Sequence, residues 1–157
     1  MIIGRLSLCV RSSDGDHKDS YGMEIDQIIS FEFANAQPQI VSGLLEYDQV
    51  MISHQLKRFA DDTKCDLIIT TGGTGSDRRD VTPEATRAVI DKELPGFGEV
   101  MRVKSYVNTP TTILSRATAG IRGKTLMINL PGSPHAIREC LPLLSPAIRE
   151  CLEHLKP

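Results

Sequence analysis

Residues 67–86, LIITTGGTGSDRRDVTPEAT, constrain the chain more than any other stretch. An apolar run, Leu67-Ile68-Ile69, leads into a turn whose glycines, Gly72, Gly73 and Gly75, are interleaved with hydroxyl-bearing residues; Thr82-Pro83-Glu84 then opens a helix. A strand that ends in a glycine-rich turn leaves backbone N–H groups unobstructed, and such a concavity suits phosphate oxygens. Beside it stands Asp80, an acid of the kind that suits Mg²⁺, which takes one or two protein carboxylates together with substrate phosphate oxygens. The turn lacks the Lys-Ser or Lys-Thr of the Walker loop and the G-x-G-x-x-G spacing of a dinucleotide site. It reads as a site for a phosphorylated ligand, in particular a nucleotide. The competing reading is a tight strand-to-helix connection whose glycines serve backbone geometry alone.

At 157 residues the chain is expected to form one domain, spanning 1–157. A net charge of −2 gives no general pull toward nucleic acid or an anionic membrane, and 4% aromatics without Trp argue against a base-stacking platform. The start, MIIGRLSLCV, carries Arg5 and lacks a charged leader or cleavage site, so it reads as a first strand. No apolar run approaches the ~20 residues of a membrane-spanning helix. Cys9, Cys65, Cys140 and Cys151 form no C-x-x-C pair and have no His at metal spacing; they read as reduced thiols, and a cytoplasmic location is the expectation.

Hydrophobic patterning predicts strands over 2–10, 39–46, 67–71 and 121–130. Helices are expected over 22–36, from Asp48 to 64, over 83–93, from 95 or 96 to 107, and over 135–155, the last punctuated by Pro142 and Pro146. This alternation calls for an α/β fold with a parallel sheet covered on both faces. Ligands of such folds bind beyond the carboxyl ends of the strands. The loops 11–21, 70–80 and 129–134 all leave strand ends, and Asp48 lies at a fourth.

Asp48 suits first a helix N-cap, which contributes ~1 kcal/mol, and second a Mg²⁺ or substrate carboxylate. With Thr82 as the expected cap and Pro83 at the first helical position, Asp80 has no capping task; it is a ligand carboxylate or a solvated loop acid. Arg78 and Arg79 can clamp a phosphate bidentately or face solvent. In Pro131-Gly132-Ser133-Pro134, Ser133 can cap, Pro134 can take the first helical position and Gly132 lets a ligand approach; the alternative is a plain strand–turn–helix. His54 reads as a packed or half-exposed histidine, and Ser115-Arg116 carries little intrinsic signal. No Ser/His/Asp or Cys/His spacing suggests covalent catalysis.

Five motifs follow one another in order: TTGGTG (70–75), RRDVTPEAT (78–86), LPGFGEVMR (94–102), ILSRATAG (113–120) and NLPGSP (129–134). Over about residues 65–140, and more loosely from residue 1, the chain resembles the molybdopterin adenylyltransferase family, the MogA/MoaB type of molybdenum cofactor biosynthesis protein. The resemblance implies a three-layer α/β/α sandwich with a mostly parallel central sheet, assembled as homotrimers or hexamers. It implies transfer of AMP from Mg-ATP to the terminal phosphate of molybdopterin, with release of pyrophosphate and hand-over of the product to a molybdenum insertase. Asp48 and Asp80 become candidates for catalysis and Mg²⁺ positioning. Thr71, Gly72, Gly73, Thr74, Gly75 and Arg79 become candidates for the nucleotide phosphates, and Ser13, Ser115, Pro131, Gly132 and Ser133 for molybdopterin. Val10-Arg11-Ser12-Ser13-Asp14-Gly15 matches the family's Ser-Asp-Arg-like stretch only in part, and the chain ends soon after the NLPGSP helix, as in the shorter members. A catalytically silent molybdopterin-binding or scaffolding member is therefore an alternative. A nucleotide pyrophosphatase of the competence-damage type is a third, although that group tends toward paired acids where this chain has Arg79-Asp80-Val81.

Overall fold

A computed structural model describes residues 1–9 and 19–157. In chain order the elements are β1 (Ile2–Cys9), α1 (Ser20–Glu32), β2 (Gln39–Glu46), α2 (Gln49–Lys57), β3 (Leu67–Thr71) and α3 (Thr82–Arg87). They continue with β4 (Lys92–Glu93), α4 (Gly96–Tyr106), β5 (Ala119–Arg122), β6 (Thr125–Leu130) and α5 (Pro134–Leu155). The six strands form one sheet in the order β2-β1-β3-β6-β5-β4. The pairs β1–β2, β1–β3 and β3–β6 are parallel, whereas β5 runs antiparallel to both β6 and β4. Every residue of β3 and β6 is buried, as parallel strands covered on both faces require.

Successive side chains of a strand point to opposite faces, and here each face has its own helices. Ile3, Leu67, Ile69, Leu126 and Ile128 pack with Ile25 and Ile29 of α1, Met101 of α4, and Ile137, Leu141 and Ile148 of α5. Leu6, Leu8, Ile68 and Met127 point the other way, onto Ile52 and Leu56 of α2 and Ala85 of α3. The expected three-layer α/β/α sandwich is the observed fold.

Two expected elements are corrected. The apolar stretch 121–130 is a hairpin, not one strand: Gly123, at φ 55°, helps turn the chain between Arg122 and Thr125, the positive-φ position that short hairpin loops demand. The helix expected over 83–93 stops at Arg87, and Lys92–Glu93 becomes an edge strand. Gly120 makes that pairing possible, because a Cβ there would lie 2.6 Å from the Lys92 carbonyl oxygen. The helix from Asp48 continues beyond α2 through a π turn at Arg58–Asp62. α5 runs unbroken through Pro142 and Pro146. Both prolines are exposed and four residues apart, so the two i→i−4 bonds that they cannot make fall on one solvent-facing side.

One charge is buried in the sheet. Arg5, only 6% exposed, lies on β1. Its Nε donates to Asp26 Oδ1 at 2.7 Å, its Nη1 donates to Ser7 Oγ at 3.0 Å, and it pairs with Asp19. Asp19 also caps α1 by accepting from the Gly22 N–H at 2.9 Å. Burial on its own raises the Asp19 carboxyl, but hydrogen bonds from Ser7 and Arg5, and the Arg5 charge, hold it below its ordinary value. A carboxyl with a depressed folded-state pKa stabilises the fold above its unfolded value, about pH 4, and this contribution is lost as pH falls through the folded value. Because Asp19 and Asp26 are partly exposed, Arg5→Met is expected to cost about 2–3 kcal/mol at neutral pH, the range for lost hydrogen bonds to charged groups, with the gap to wild type narrowing below about pH 4. Urea denaturation across a pH series measures it; a gap that does not change with pH would mean that Arg5 contributes packing alone.

Candidate active site at the carboxyl edge of the sheet

From β1 the chain crosses to β2 on one side, while beyond β3 it builds the strands on the other. The carboxyl edge between β1 and β3 is therefore a switch point, where α/β sheets open a crevice for ligands. Ser13, a molybdopterin candidate, lies outside the described residues. The glycine turn sits on the β3 side. Gly72 and Gly73 have φ of 92° and 67°, a region that side-chain-bearing residues seldom enter. A Cβ on Gly73 would meet Thr82 Oγ1 at 2.4 Å and the Tyr47 ring at 2.9 Å. Thr82 is not the cap of α3; Val81 holds that place. Instead Thr82 donates its hydroxyl to the Gly72 carbonyl at 2.9 Å and its N–H to the Gly73 carbonyl at 3.1 Å, satisfying oxygens that the turn removes from the strand ladder.

Beyond the turn, Asp80 Oδ2 accepts from the Asp77 N–H at 2.9 Å and stands 2.8 Å from where a Cβ on Gly75 would be. Glycine at 75 is thus what admits the Asp80 carboxylate. Arg79 is held by its neighbour, its N–H and Nε donating to Asp77 Oδ1 at 2.9 and 3.3 Å, and Arg78 faces solvent. The organising cation is Arg116, which the sequence left without a role. Its Nε donates to the Gly75 carbonyl and its Nη2 to the Asp80 carbonyl, both at 2.7 Å, its N–H donates to the Thr74 carbonyl, and Nη1 pairs with Glu84. Burial raises the Glu84 carboxyl, but the bond from Arg116, a backbone hydrogen bond and the charges of Arg116 and Arg87 together hold the group below its ordinary value.

Tyr47, also not singled out in the sequence, joins the end of β2 to this turn. Its ring packs on Gly73, and its hydroxyl is 3.3 Å from where a Cβ on Gly72 would lie. Burial pushes the phenol up and the charge of Asp80 adds to that, so the hydroxyl keeps its proton at neutral pH. The next residue, Asp48, caps α2 by accepting from the Met51 N–H at 2.9 Å and is exposed.

The second turn, after β6, lies against the first. Thr71 donates its hydroxyl to the Pro131 carbonyl at 2.9 Å, and a Cβ on Gly132 would come within 3.0 Å of the Gly72 Cα. Ser133 caps α5 by accepting from the Ala136 N–H at 3.3 Å. Behind both turns Asn129 donates to the hydroxyls of Thr70 and Thr86 at 3.0 and 2.8 Å, fastening β6 to β3 and α3. A cavity of about 270 Å³ opens beside them, walled by Thr74, Gly75, Ser115, Pro131 and Ser133 on the turn side and by Met101, Leu114 and Glu139 opposite. A larger cleft of about 640 Å³, bordered by Phe33, Lys124 and Leu155, contains none of the candidate residues.

Thr71 to Gly75, Asp80, Ser115 and Pro131 to Ser133 thus share one edge; Asp48 is linked to it through Tyr47, and Arg79 is turned to Asp77. Among the described residues no three His, Cys, Asp or Glu side chains form a protein-only metal cage. Asp48 and Asp80 each engage one oxygen with a backbone N–H. The remaining carboxylate oxygens are hard donors of the kind that Mg²⁺ takes beside substrate phosphates.

Residues 40–150 match the family model described as a probable molybdopterin binding domain. The chain belongs to this family. It is 46% identical over 145 residues, 92% of its length and 82% of the relative's, to the molybdopterin adenylyltransferase of Helicobacter pylori. With the molybdopterin adenylyltransferase of Escherichia coli K12 it shares 41% over 139 residues, 88% of this chain and 71% of the other. Among solved structures, the molybdopterin biosynthesis enzyme MoaB of Thermus thermophilus superposes with a TM-score of 0.87 at 36% identity, covering 99% of this chain and 98% of that one. The family's span contains both turns, Tyr47, Asp48 and Arg116.

Gly73→Ala is expected to destabilise the fold by about 1–3 kcal/mol through strain at positive φ and the clash with Thr82. Arg116→Ala should cost a similar amount and loosen residues 74–80. Chemical denaturation and amide hydrogen exchange measure the two; unchanged protection of 74–80 in Arg116→Ala would show that the loop holds its own shape.

Proposed function

We propose that this chain transfers AMP from ATP to the terminal phosphate of molybdopterin, releasing pyrophosphate, in the biosynthesis of molybdenum cofactor. The observation that carries this reading is the contact between the two glycine turns, Gly72 against Gly132. It brings a phosphate cradle up against a cavity of about 270 Å³, so that two phosphorylated substrates can meet end to end. The relatives named for this activity, at 46% and 41% identity, support it.

In this reading the N–H groups of Thr71–Gly75 hold the nucleotide phosphates, and Arg79 can swing from Asp77 to join them. Ser13, Ser115 and Pro131–Ser133 border molybdopterin. Asp48 and Asp80 would hold Mg²⁺, which supplies counter-charge for the triphosphate and the leaving pyrophosphate. The attacking group, a phosphate oxygen, is already anionic, so no residue needs to remove a proton. That oxygen forms a bond to the α-phosphorus while the bond from the α-phosphorus to the α–β bridging oxygen breaks, and pyrophosphate leaves with the electron pair. The chain's work is alignment of two mutually repelling anions and stabilisation of the charge between them. The protonated Tyr47 hydroxyl, beside Gly72, is a donor toward that charge.

Residues 1–157 act as one domain in this reading, in the cytoplasm, as a homotrimer or hexamer that hands adenylyl-molybdopterin to an insertase. Among the described residues no helix is long and apolar enough to cross a membrane. Val103 and Val107 at the end of α4 and nearby Ile113 and Leu114 are exposed; such apolar surface favours burial against another chain. Analytical ultracentrifugation is expected to give a mass of three or six chains, lowered by the double change Val103→Glu and Val107→Glu; a wild-type monomer would sink the assembly reading.

The decisive assay is pyrophosphate release from ATP and Mg²⁺. Release should require molybdopterin and fall at least ~100-fold in Asp80→Ala, consistent with loss of one strong electrostatic contact to the reacting phosphates. Molybdopterin binding without release would identify a silent member of the family and make the departure at Val10–Gly15 the first suspect. Nucleotide hydrolysis without molybdopterin would identify a pyrophosphatase.

A further inference from the structure

Glu139 faces the cavity beside the two turns, yet the transfer chemistry leaves it without a task. It lies near the start of α5, and α4 fixes its carboxylate in advance. Ser105, only 5% exposed, donates its hydroxyl to Oε2 at 3.1 Å. Asn108, just past the end of α4, donates its side-chain amide to Oε1 at 3.4 Å. Both donors are neutral, so the charge is oriented without being cancelled. Arg102, which also lines the cavity, spends Nη1 on the carbonyls of Ser115 and Ala117, both at 3.1 Å. Met101 and Leu114 supply apolar walls, and the Thr112 hydroxyl is buried with no partner among the described residues.

A carboxylate has about four lone-pair sites, so each oxygen here keeps capacity for one more donor. The surroundings therefore ask for a flat ligand that presents two N–H groups side by side. The 2-amino-4-oxo ring of a pterin does this with N3–H and its 2-amino group. Adenine does not: it alternates a donor, N6, with an acceptor, N1, and one carboxylate oxygen would face a lone pair. Resting on the adenylyltransferase reading of the site, we infer that Glu139 reads the N3–H and 2-amino edge of the pterin and so determines which of the two heterocycles occupies this cavity. The nucleotide is left to the glycine turn, and the two phosphate ends meet between them.

Glu139→Gln, nearly isosteric, replaces one acceptor by a donor. In the intact protein it is expected to raise KM for molybdopterin roughly 10- to 100-fold, the range for charge-assisted hydrogen bonds, while KM for ATP and kcat stay near wild type. A second readout does not depend on turnover: fluorescence titration with 6-hydroxymethylpterin and with its 2,4-dioxo analogue, which carries an acceptor in place of the 2-amino donor. Wild type should favour the amino compound at least ~10-fold, as a site built for an N–H rejects the analogue lacking it, and Glu139→Gln should lose that preference. A Glu139→Gln protein that transfers AMP with unchanged KM and keeps the preference would overturn the assignment and leave the adenylyltransferase reading intact. Wild type binding neither compound would overturn it too. Wild type that discriminates but does not transfer AMP would sustain the role of Glu139 and count against the reading. Ser105→Ala separates recognition from buttressing: if Glu139 only braces α4 against α5, both variants lose stability with no change in preference, and the assignment falls.

Discussion

The parallel pairing of β3 with β6 is the constraint on which the rest of this molecule depends. Thr71 lies opposite Leu130 in that register, so the two strands end level and release their turns at one height. The Gly72 N–H continues the ladder to the Leu130 carbonyl at 3.3 Å, and the Thr71 hydroxyl reaches the Pro131 carbonyl. A register slip of one residue would send each strand's side chains to the opposite face. It would also separate the turns, and the cavity between α4 and α5 would lose its floor. Core packing and site geometry therefore have a single origin.

For a site read as accepting two polyanions, the neighbourhood is sparing with free positive charge. The chain carries a net charge of −2, Arg79 is occupied by Asp77, and Arg116 is occupied by carbonyls and Glu84. Attraction for phosphate then comes first from oriented backbone N–H groups and from any ion that the acids hold, with Arg79 joining only by leaving Asp77. Fixed dipoles of this sort need no rearrangement as charge moves during reaction. They also bind released products less tightly than a cluster of free arginines would, which suits the proposed release of pyrophosphate.

Local signals in the sequence carried the fold a long way. Unbroken apolar runs marked β3 and the β6 part of the hairpin, and Asp48 and Ser133 were legible as helix starts because capping is a contact between neighbours in the chain. Elements defined by distant partners were not legible. Lys92–Glu93 has no strand pattern and is a strand only because Gly120 lets it approach β5. Thr82 looked like a cap because its position allows it, but the Gly72 carbonyl, ten residues back, claims its hydroxyl. Tyr47, Arg116 and Glu139 were missed for the same reason. The bonds that define Arg116 span 36 and 41 residues, and the donors that orient Glu139 come from α4 and the turn after it. The glycine positions were legible as a turn, whereas the reason Gly75 is a glycine, the carboxylate of Asp80 against it, needed the folded chain.

The near contact of Gly132 with the Cα of Gly72 has a consequence for how such a protein can change. A side chain at 132 would press on the backbone of the first turn, and one at 72 would strain its own φ of 92°. Neither turn can explore new shapes through these positions by single substitutions, because each first step is penalised whatever the second would bring. The two walls are inherited as a block. Variation in what the site accepts is thereby channelled away from the phosphate end and into the far wall, where side chains such as Leu114 and Glu139 can be exchanged without moving either backbone.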